Sequence, residues 1–204
     1  MKKEQALKII FQCADKFEKN LANKNLLFVC SDKKMNISTV EVAFIRSNFL
    51  HMTGVKFNTG KRLSANEFYK MCLDRRLSLK DFELASDGTT DLKLVVLPAL
   101  VNKNLSANMI GEYSGSRPML FTQKIAGNIK GCMGFLLDSK KNCYVPNTIL
   151  NEDVRTLVVD AKRVVAVFRK DVSTDGYEEI VYKVKDVDLK AIALPKNVKL
   201  KVNM

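Results

Sequence analysis

His51 is the only histidine in this chain of 204 residues, and apolar residues and Gly54 flank it. Imidazole is the side chain whose ordinary pKa lets it take up and release protons near neutral pH. The chain also carries 34 Lys and Arg against 22 Asp and Glu, a formal net charge of +12. Such a surplus suits a polyanionic partner, although lysine is a common surface residue in proteins of every function. A proton-transfer group on a basic chain predicts chemistry or binding at a phosphodiester backbone.

Cleavage of RNA without a metal ion is one reaction that these residue types can support. It needs a base for the ribose 2′-OH, cations that stabilise charge on the phosphate, and an acid for the leaving 5′-oxygen. His51 is a candidate base or acid, and Thr53 is a candidate hydrogen-bond partner of the scissile phosphate. The candidate phosphate-binding cations are Lys56, Lys61, Arg62, Arg117, Lys124 and Lys130. Structural roles stay open for both central residues, because a ring among apolar neighbours is commonly packed and a threonine beside a glycine commonly serves a turn.

Aromatic residues offer a further interaction with single-stranded nucleic acid. Tyr113, Phe121 and Tyr144 are candidates to stack on an unpaired base, whereas most strand aromatics belong to the core. Arg117 stands before a proline in a Ser-Gly-Ser loop, where it either clamps a phosphate or is simply solvated.

The motifs of several enzyme classes are missing from the sequence. It contains no G-x-x-x-x-G-K-[ST] loop, no H-E-x-x-H, no G-x-S-x-G and no G-x-G-x-x-G after a strand, which argues against ATPases, zincins, hydrolases and dinucleotide enzymes. The five cysteines are odd in number and form no C-x-x-C pair, so neither a disulfide framework nor a zinc site is expected. We expect no metal and no cofactor.

The apolar runs are short. The longest, residues 94–101, contains Pro98 and falls far below the roughly 20 residues that a membrane-spanning helix needs. No apolar segment follows the basic N-terminal residues, so a secretory signal is not expected. We predict a cytoplasmic protein with no membrane contact.

Hydrophobic periodicity predicts helices in the first half of the chain. Residues 2–21 carry an apolar stripe at intervals of three and four, which is typical of an amphipathic helix that covers a sheet. Residues 26–30 and 37–45 predict a β-hairpin. Ser64 and Glu67 have the spacing of a capping box, which predicts the start of a helix.

The second half of the chain is predicted to be rich in strands. Pro98 fits the first turn of a helix that ends near Gly111. The predicted strands cover residues 119–122, 125–137, 144–149, 163–169 and 177–183. These patterns predict a single α+β domain over residues 1–204, in which N-terminal helices pack on a mostly antiparallel β-sheet.

Several phrases of the chain resemble a family of nucleases. The likeness extends over about residues 26–189, and it points to phage-associated nucleases of the barnase/EndoU/colicin/RelE-like (BECR) fold. The phrases are Ser47-Asn48-Phe49-Leu50-His51-Met52-Thr53-Gly54, Leu63-Ser64-Ala65-Asn66-Glu67-Phe68-Tyr69, Met109-Ile110-Gly111-Glu112-Tyr113, Tyr144-Val145-Pro146-Asn147-Thr148 and Asp153-Val154-Arg155.

The resemblance implies a barnase-like α+β fold and cleavage of RNA without a metal. It implies an N-terminal helix over residues 1–24, a nuclease-like core over 25–190 and a C-terminal tail over 191–204. His51 and Thr53 carry over as catalytic candidates, because both lie inside a matching phrase. Lys124 and Tyr144 are added as catalytic candidates and Asn147 as a nucleic-acid contact, since they lie within or near such phrases.

The sequence thus predicts a metal-independent endoribonuclease-like domain of phage or mobile-element origin, with RNA as its partner. One alternative is a non-catalytic nucleic-acid-binding or phage-accessory protein, in which His51 is structural. Another is a toxin-like domain that acts beside a partner, such as an immunity protein or antitoxin.

Overall fold

A computed structural model describes residues 1–57, 63–115, 119–189, 192, 194 and 198–201 of the chain. Within these residues the helices are α1 (Lys3–Asn20), α2 (Asn48–Thr53), α3 (Ala65–Leu73), α4 (Thr89–Leu100) and α5 (Val154–Leu157). The strands are β1 (Lys24–Ser31), β2 (Ile37–Phe44), β3 (Lys56–Phe57), β4 (Phe82–Glu83), β5 (Met109–Tyr113), β6 (Lys124–Asn128), β7 (Gly131–Asp138), β8 (Cys143–Leu150), β9 (Val158–Asp171) and β10 (Glu179–Lys183).

Seven of the strands close into a barrel. Their order is β1-β2-β8-β7-β6-β5-β9, and β9 returns to pair with β1, while β10 extends the sheet beyond β9. The parallel contact of β2 with β8 consists of one registered pair, Val42 with Tyr144, and the other contacts around the barrel are antiparallel. Mixed strand directions and closure together define the architecture.

The predicted architecture of N-terminal helices on a mostly antiparallel, barnase-like sheet is therefore wrong. The sheet is a closed mixed barrel with few helices, and its closure depends on the 14-residue strand β9. One half of β9 pairs with β1 and the other half with β5. Lys24 and Asp171, 147 positions apart in the chain, face each other across the β1–β9 pair and form an ion pair of 2.6 Å. Periodicity reports which face of a strand is buried but not which distant strand lies beside it.

One large core joins α1 to α4 with the inner face of the barrel. Phe17 of α1 packs its ring against Phe44 of β2, Phe49 of α2 and Tyr69 of α3, with ring centroids 5.4 to 6.3 Å apart. The inner side chains of β1, β6, β7 and β9 complete this core. Two smaller apolar clusters lie on the outer face, one beneath α5 and one beneath the segment around Leu189. The core thereby fixes α2 and α4 relative to the barrel.

Several local predictions are confirmed. The first helix covers residues 3–20 and buries its apolar stripe, and β1 and β2 form the expected hairpin. Ser64 and Glu67 form both hydrogen bonds of the capping box at the start of α3. The predicted strand over residues 163–169 lies within β9, where residues 164–168 are buried in succession.

Other local predictions are wrong. Pro98 lies near the end of α4 rather than at its start, and residues 109–113 form strand β5 instead of the end of a helix. Residues 119–122 lie outside the strands, and the predicted strand over 125–137 is two strands, β6 and β7. Among the helices described here, none has the length and apolar composition that would be needed to span a membrane.

Candidate active site at the mouth of the barrel

One end of the barrel is lined by polar side chains that point inward. We define this mouth by five residues, Ser38, Glu112, Lys124, Tyr144 and Lys162. The alternation of side chains along a strand explains their direction, because each of them shares a face with a core residue of its own strand or of the paired strand. Lys124 stands two residues before buried Ala126, and Lys162 two residues before buried Val164. The core therefore ends, and the polar mouth begins, at these positions.

Lys124 occupies the centre of the mouth. It lies directly opposite Glu112 in the β5–β6 pair, and the ammonium and the carboxylate form an ion pair. On its other side, Nζ lies 5.2 Å from the centroid of the Tyr144 ring, within the range of a cation–π contact. The Lys124 side chain is 16% exposed, whereas that of Glu112 is 51% exposed. The cation is thus held by its surroundings, while the carboxylate is accessible to solvent.

Lys162 adds a second cation to the mouth. Its Nζ donates a hydrogen bond of 3.0 Å to Oγ of Ser38. Burial raises the pKa of the Cys30 thiol to about 12, and the charges of Lys162 and Lys124 act in the opposite direction. Cys30 pairs with Ser38 in the β1–β2 hairpin, so its thiol lies at the floor of the mouth. Lys162 pairs with Ile110 of the core, and Lys124 lies two residues from Ala126, which pairs with the same Ile110, so both lysines face the inside of the barrel.

His51 lies on a different element, α2. This short helix continues the chain from β2, packs against β8, and ends at Gly54, whose φ of 69° is left-handed. His51 is exposed, and its ring has no hydrogen-bond partner among the described residues. Its carbonyl oxygen accepts a hydrogen bond of 2.9 Å from Nζ of Lys93 on α4, and desolvation lowers the pKa of this lysine. An ammonium group therefore lies beside the backbone of His51.

Thr53 is fully buried, and its hydroxyl is used within the same turn. Oγ1 donates to the carbonyl of Leu50 at 2.8 Å and accepts from the backbone N–H of Val55 at 3.4 Å. Thr53 thus holds the end of α2, and we assign it no contact with substrate.

The three predicted nucleic-acid contacts that the structure describes lie on different elements. Lys56 is exposed on β3. Lys130 is exposed in the turn after β6, about 13 Å along that strand from the mouth. The side-chain amide of Asn147 is bound within the protein, since Nδ2 donates a hydrogen bond of 2.5 Å to the carbonyl of Phe121. Three further predicted contacts lie outside the described residues, and they are Lys61, Arg62 and Arg117.

The chain was compared with models of known protein families. Residues 9–186 match the family described as phage-Barnase-EndoU-ColicinE5/D-RelE like nuclease4, or PBECR4. The chain belongs to the PBECR4 nuclease family. This match confirms the resemblance stated from the sequence. Neither the curated proteins nor the solved structures include a significant match.

Family membership gives the mouth a chemical context, because a nuclease must bind and neutralise a phosphodiester. The structure brings together two of the four predicted catalytic residues, Lys124 and Tyr144, and adds residues that the sequence did not single out. Glu112 belongs to the phrase Gly111-Glu112-Tyr113, but its role depends on the pairing of β5 with β6. The signals for Lys162 and Lys93 are weaker, since each is one lysine among many until the tertiary fold is known. Among the described residues, no group of three His, Cys, Asp or Glu side chains could hold a metal ion.

Proposed function

We propose that this PBECR4 member cleaves RNA without a metal ion, by attack of the ribose 2′-OH on the adjacent phosphate, and that the mouth is the reaction centre. The observation that carries the proposal is the position of Lys124 between the Glu112 carboxylate and the Tyr144 ring, with Lys162 on the same interior face. A base and two cations at one end of the barrel satisfy the main chemical requirements of this reaction.

The first step in this mechanism is an exchange of anions at Lys124. A phosphodiester that enters the mouth competes with Glu112 for the ammonium groups of Lys124 and Lys162. Binding of the phosphate separates Glu112 from its counter-ion, and the freed carboxylate accepts the proton of the 2′-OH. The exposure of Glu112 allows this movement, because its side chain is half in solvent while Lys124 is held by the barrel.

The second step forms the 2′-oxygen–phosphorus bond and breaks the bond from phosphorus to the 5′-oxygen. Lys124 and Lys162 stabilise the added negative charge of the pentacovalent phosphate, a form of electrostatic stabilisation that is commonly the largest contribution to catalysis. The products are a 2′,3′-cyclic phosphate and a 5′-hydroxyl. We assign the proton for the leaving 5′-oxygen to the Tyr144 phenol inside the mouth, because α2, which carries His51, follows the end of β2 that is opposite to Ser38.

The decisive experiment is incubation of end-labelled single-stranded RNA with purified protein in EDTA. Wild-type protein is expected to cleave and to leave 2′,3′-cyclic phosphate ends, whereas RNA with 2′-deoxyribose at the cleaved position stays intact. We expect Glu112→Gln and Lys124→Met to lower the rate by a factor of roughly 10² to 10⁴, the usual effect of removing a group that transfers protons or stabilises charge. Lys199→Met is the matched control, because Lys199 pairs with Asp175 on the exposed surface. Equal rates for wild type, Glu112→Gln and Lys124→Met would remove the mouth from the mechanism.

The proton donor is tested in the same assay. Tyr144→Phe is expected to lower the cleavage rate while leaving the affinity for uncleaved RNA unchanged, since the phenol transfers a proton and does not hold the phosphate. His51→Ala is expected to cleave at the wild-type rate, because α2 lies away from the mouth. If Tyr144→Phe cleaves at the wild-type rate and His51→Ala does not, the proton donor is His51. Each result selects one assignment.

A non-catalytic nucleic-acid-binding protein is the second candidate function. The net charge of +12 favours it, because phosphate neutralisation by lysine and arginine is sufficient for binding. Its signature is RNA binding that weakens steeply with salt, with no cleavage by the wild-type protein. We further propose RNA as the partner and the cytoplasm as the compartment, and the association with phages rests on the name of the family.

A further inference from the structure

Phe121 is an aromatic residue that projects into solvent close to the mouth. It is 85% exposed, and Met119, two residues earlier, is 93% exposed. Most large aromatic side chains of this chain are buried in the core, where they contact one another. An exposed phenylalanine ring forgoes the burial that normally stabilises such a side chain, so its position calls for a partner.

The backbone beneath this ring is held on several sides. The carbonyl of Phe121 accepts a hydrogen bond of 2.5 Å from Asn147 on β8. Thr122 donates through Oγ1 to the carbonyl of Phe135 at 3.1 Å, and the backbone N–H of Gln123 donates to the same carbonyl at 2.9 Å. These contacts tie residues 121–123 to two neighbouring strands of the barrel. The ring is thus presented from a fixed backbone.

The ring is also close to the reaction centre along the chain. Phe121 and Lys124 are three positions apart in the chain, so their Cα atoms are at most about 11 Å apart even in a fully extended chain. Asn147, which holds the Phe121 carbonyl, follows Tyr144 by three residues on β8. Two of the strands that line the mouth, β6 and β8, therefore also hold the backbone that carries the exposed ring.

We propose that Phe121 is a stacking platform for an unpaired base of the RNA next to the phosphate bound in the mouth. This inference rests on the proposed ribonuclease function and names its substrate class, RNA that is single-stranded at the site of cleavage. Aromatic rings bind single-stranded nucleic acid by stacking on the face of a base, an interaction that tolerates every base. Asn147 acts as a positioning residue, because its amide holds the backbone that carries the ring.

Charge and patch size favour a nucleobase over a protein or lipid partner. Among the described residues at this point, the exposed apolar side chains are those of Phe121, Met119 and the less exposed Leu137, whereas protein interfaces present broader apolar patches. The neighbouring mouth contributes two ammonium groups, which complement the phosphates of a nucleic acid. A ring beside cations is the arrangement that proteins use for single strands.

The test measures binding separately from cleavage. A fluorescent oligoribonucleotide with 2′-O-methyl groups at every position cannot be cleaved by 2′-OH attack, and its affinity is read by anisotropy. Phe121→Ala is expected to weaken binding by between about fivefold and a hundredfold, the range for loss of one stacked base, whereas Phe121→Trp restores it. Val172→Ala is the matched control, since Val172 is 50% exposed at the turn after β9, where Lys24 rather than the mouth lies nearby. The same oligonucleotide in a duplex is expected to bind wild type and Phe121→Ala alike, because its bases are already stacked.

Asn147→Ala separates positioning from direct contact. It is expected to weaken binding of the single strand in the wild-type background and to have no further effect in the Phe121→Ala background, because the two residues act through one ring. Independent, additive losses would contradict the positioning role.

The outcomes for the stacking platform and for the proposed function are distinct. Wild-type affinity of Phe121→Ala for the single strand, with cleavage intact, overturns the platform and leaves the ribonuclease. A loss of affinity in Phe121→Ala, with no cleavage by the wild type, leaves a binding platform and overturns the ribonuclease. If Phe121→Ala changes the sedimentation of the protein instead of its affinity for RNA, the ring belongs to a protein interface and the inference fails.

Discussion

Substitution of Gly54 by alanine tests the connection between His51 and Lys93. Gly54 ends α2 with φ 69° and ψ 10°, and a Cβ at this position would lie 2.8 Å from Cδ of Lys93. Because that distance is too short, the lysine side chain must move, and its hydrogen bond to the His51 carbonyl is lost. Gly88 provides the matched control. It has φ 79° at the start of α4, and a Cβ there would meet nothing within 4 Å.

The magnitudes follow from the two positions. A residue other than glycine in the left-handed region costs about 1–2 kcal/mol, and the reduced freedom of the unfolded chain offsets about 0.4–1 kcal/mol of this. Gly88→Ala is therefore expected to lower the free energy of unfolding by about 1 kcal/mol. Gly54→Ala has the same backbone cost and also loses the exposed hydrogen bond of Lys93 to His51, worth about 1 kcal/mol, so about 2 kcal/mol is expected in all.

Urea unfolding measures the difference directly. With a slope of about 2 kcal/mol per molar urea, an added loss of about 1 kcal/mol shifts the midpoint of Gly54→Ala below that of Gly88→Ala by roughly 0.5 M. In a Lys93→Ala background, Gly54→Ala is expected to cost only the backbone part. Equal midpoints for the two glycine variants, or an undiminished effect of Gly54→Ala in the absence of Lys93, would refute the reasoning.

Three further predictions concern the core, the thiols and the mouth. Phe49→Ala, which removes a fully buried ring packed against three other aromatic rings, is expected to lower the free energy of unfolding by about 3–5 kcal/mol in the same urea assay, and Phe49→Leu by clearly less. Burial raises the pKa of four thiols, those of Cys13, Cys30, Cys72 and Cys132, from 9.0 to about 12, so the folded state keeps protons that the unfolded state loses. The free energy of unfolding is therefore expected to be unaffected below pH 9 and to fall from pH 9 towards 12 in denaturation curves. Thiol reagents at pH 8 are expected to react with these four thiols only after unfolding, and their rapid reaction in the native protein would contradict this. Lys162→Met is expected to weaken RNA binding and to lower the slope of log affinity against log salt by about one, and an unchanged slope would show that this ammonium makes no contact with phosphate.

Local signals in the sequence were sufficient for several elements. The stripe of α1 and the capping box at Ser64 act over a few residues, and both are present in the structure as predicted. The β1–β2 hairpin was also predictable, because a short polar turn joins two apolar runs. Pro98 misled the prediction because its ring is well suited to a first helical turn, although the structure accommodates it near the end of α4.

The candidate site was partly visible in the sequence. Lys124 and Tyr144 were selected because they lie within or near phrases that resemble a nuclease family. In the structure, Nζ of Lys124 lies 5.2 Å from the centroid of the Tyr144 ring. Glu112 lies within one of these phrases, yet its meaning depends on the strand that faces it. His51 attracted attention through its side-chain chemistry, while its surroundings on α2 include Lys93, which no local pattern connects to it. Residue types therefore identified some of the groups, but not which of them lie together in the folded chain.

Composition and short-range pattern by themselves determined the basic character of the chain, its family resemblance, its first helix and its first hairpin. Closure of the barrel and assembly of the mouth were decided by tertiary structure. The reason is the range of the interactions: a helix cap or a turn acts between residues a few positions apart, whereas β9 pairs with β1 across most of the chain length and β8 meets β2 through one parallel contact. Such pairings depend on which buried strand faces fit together in three dimensions, and the two lysines of the mouth converge only after that choice is made.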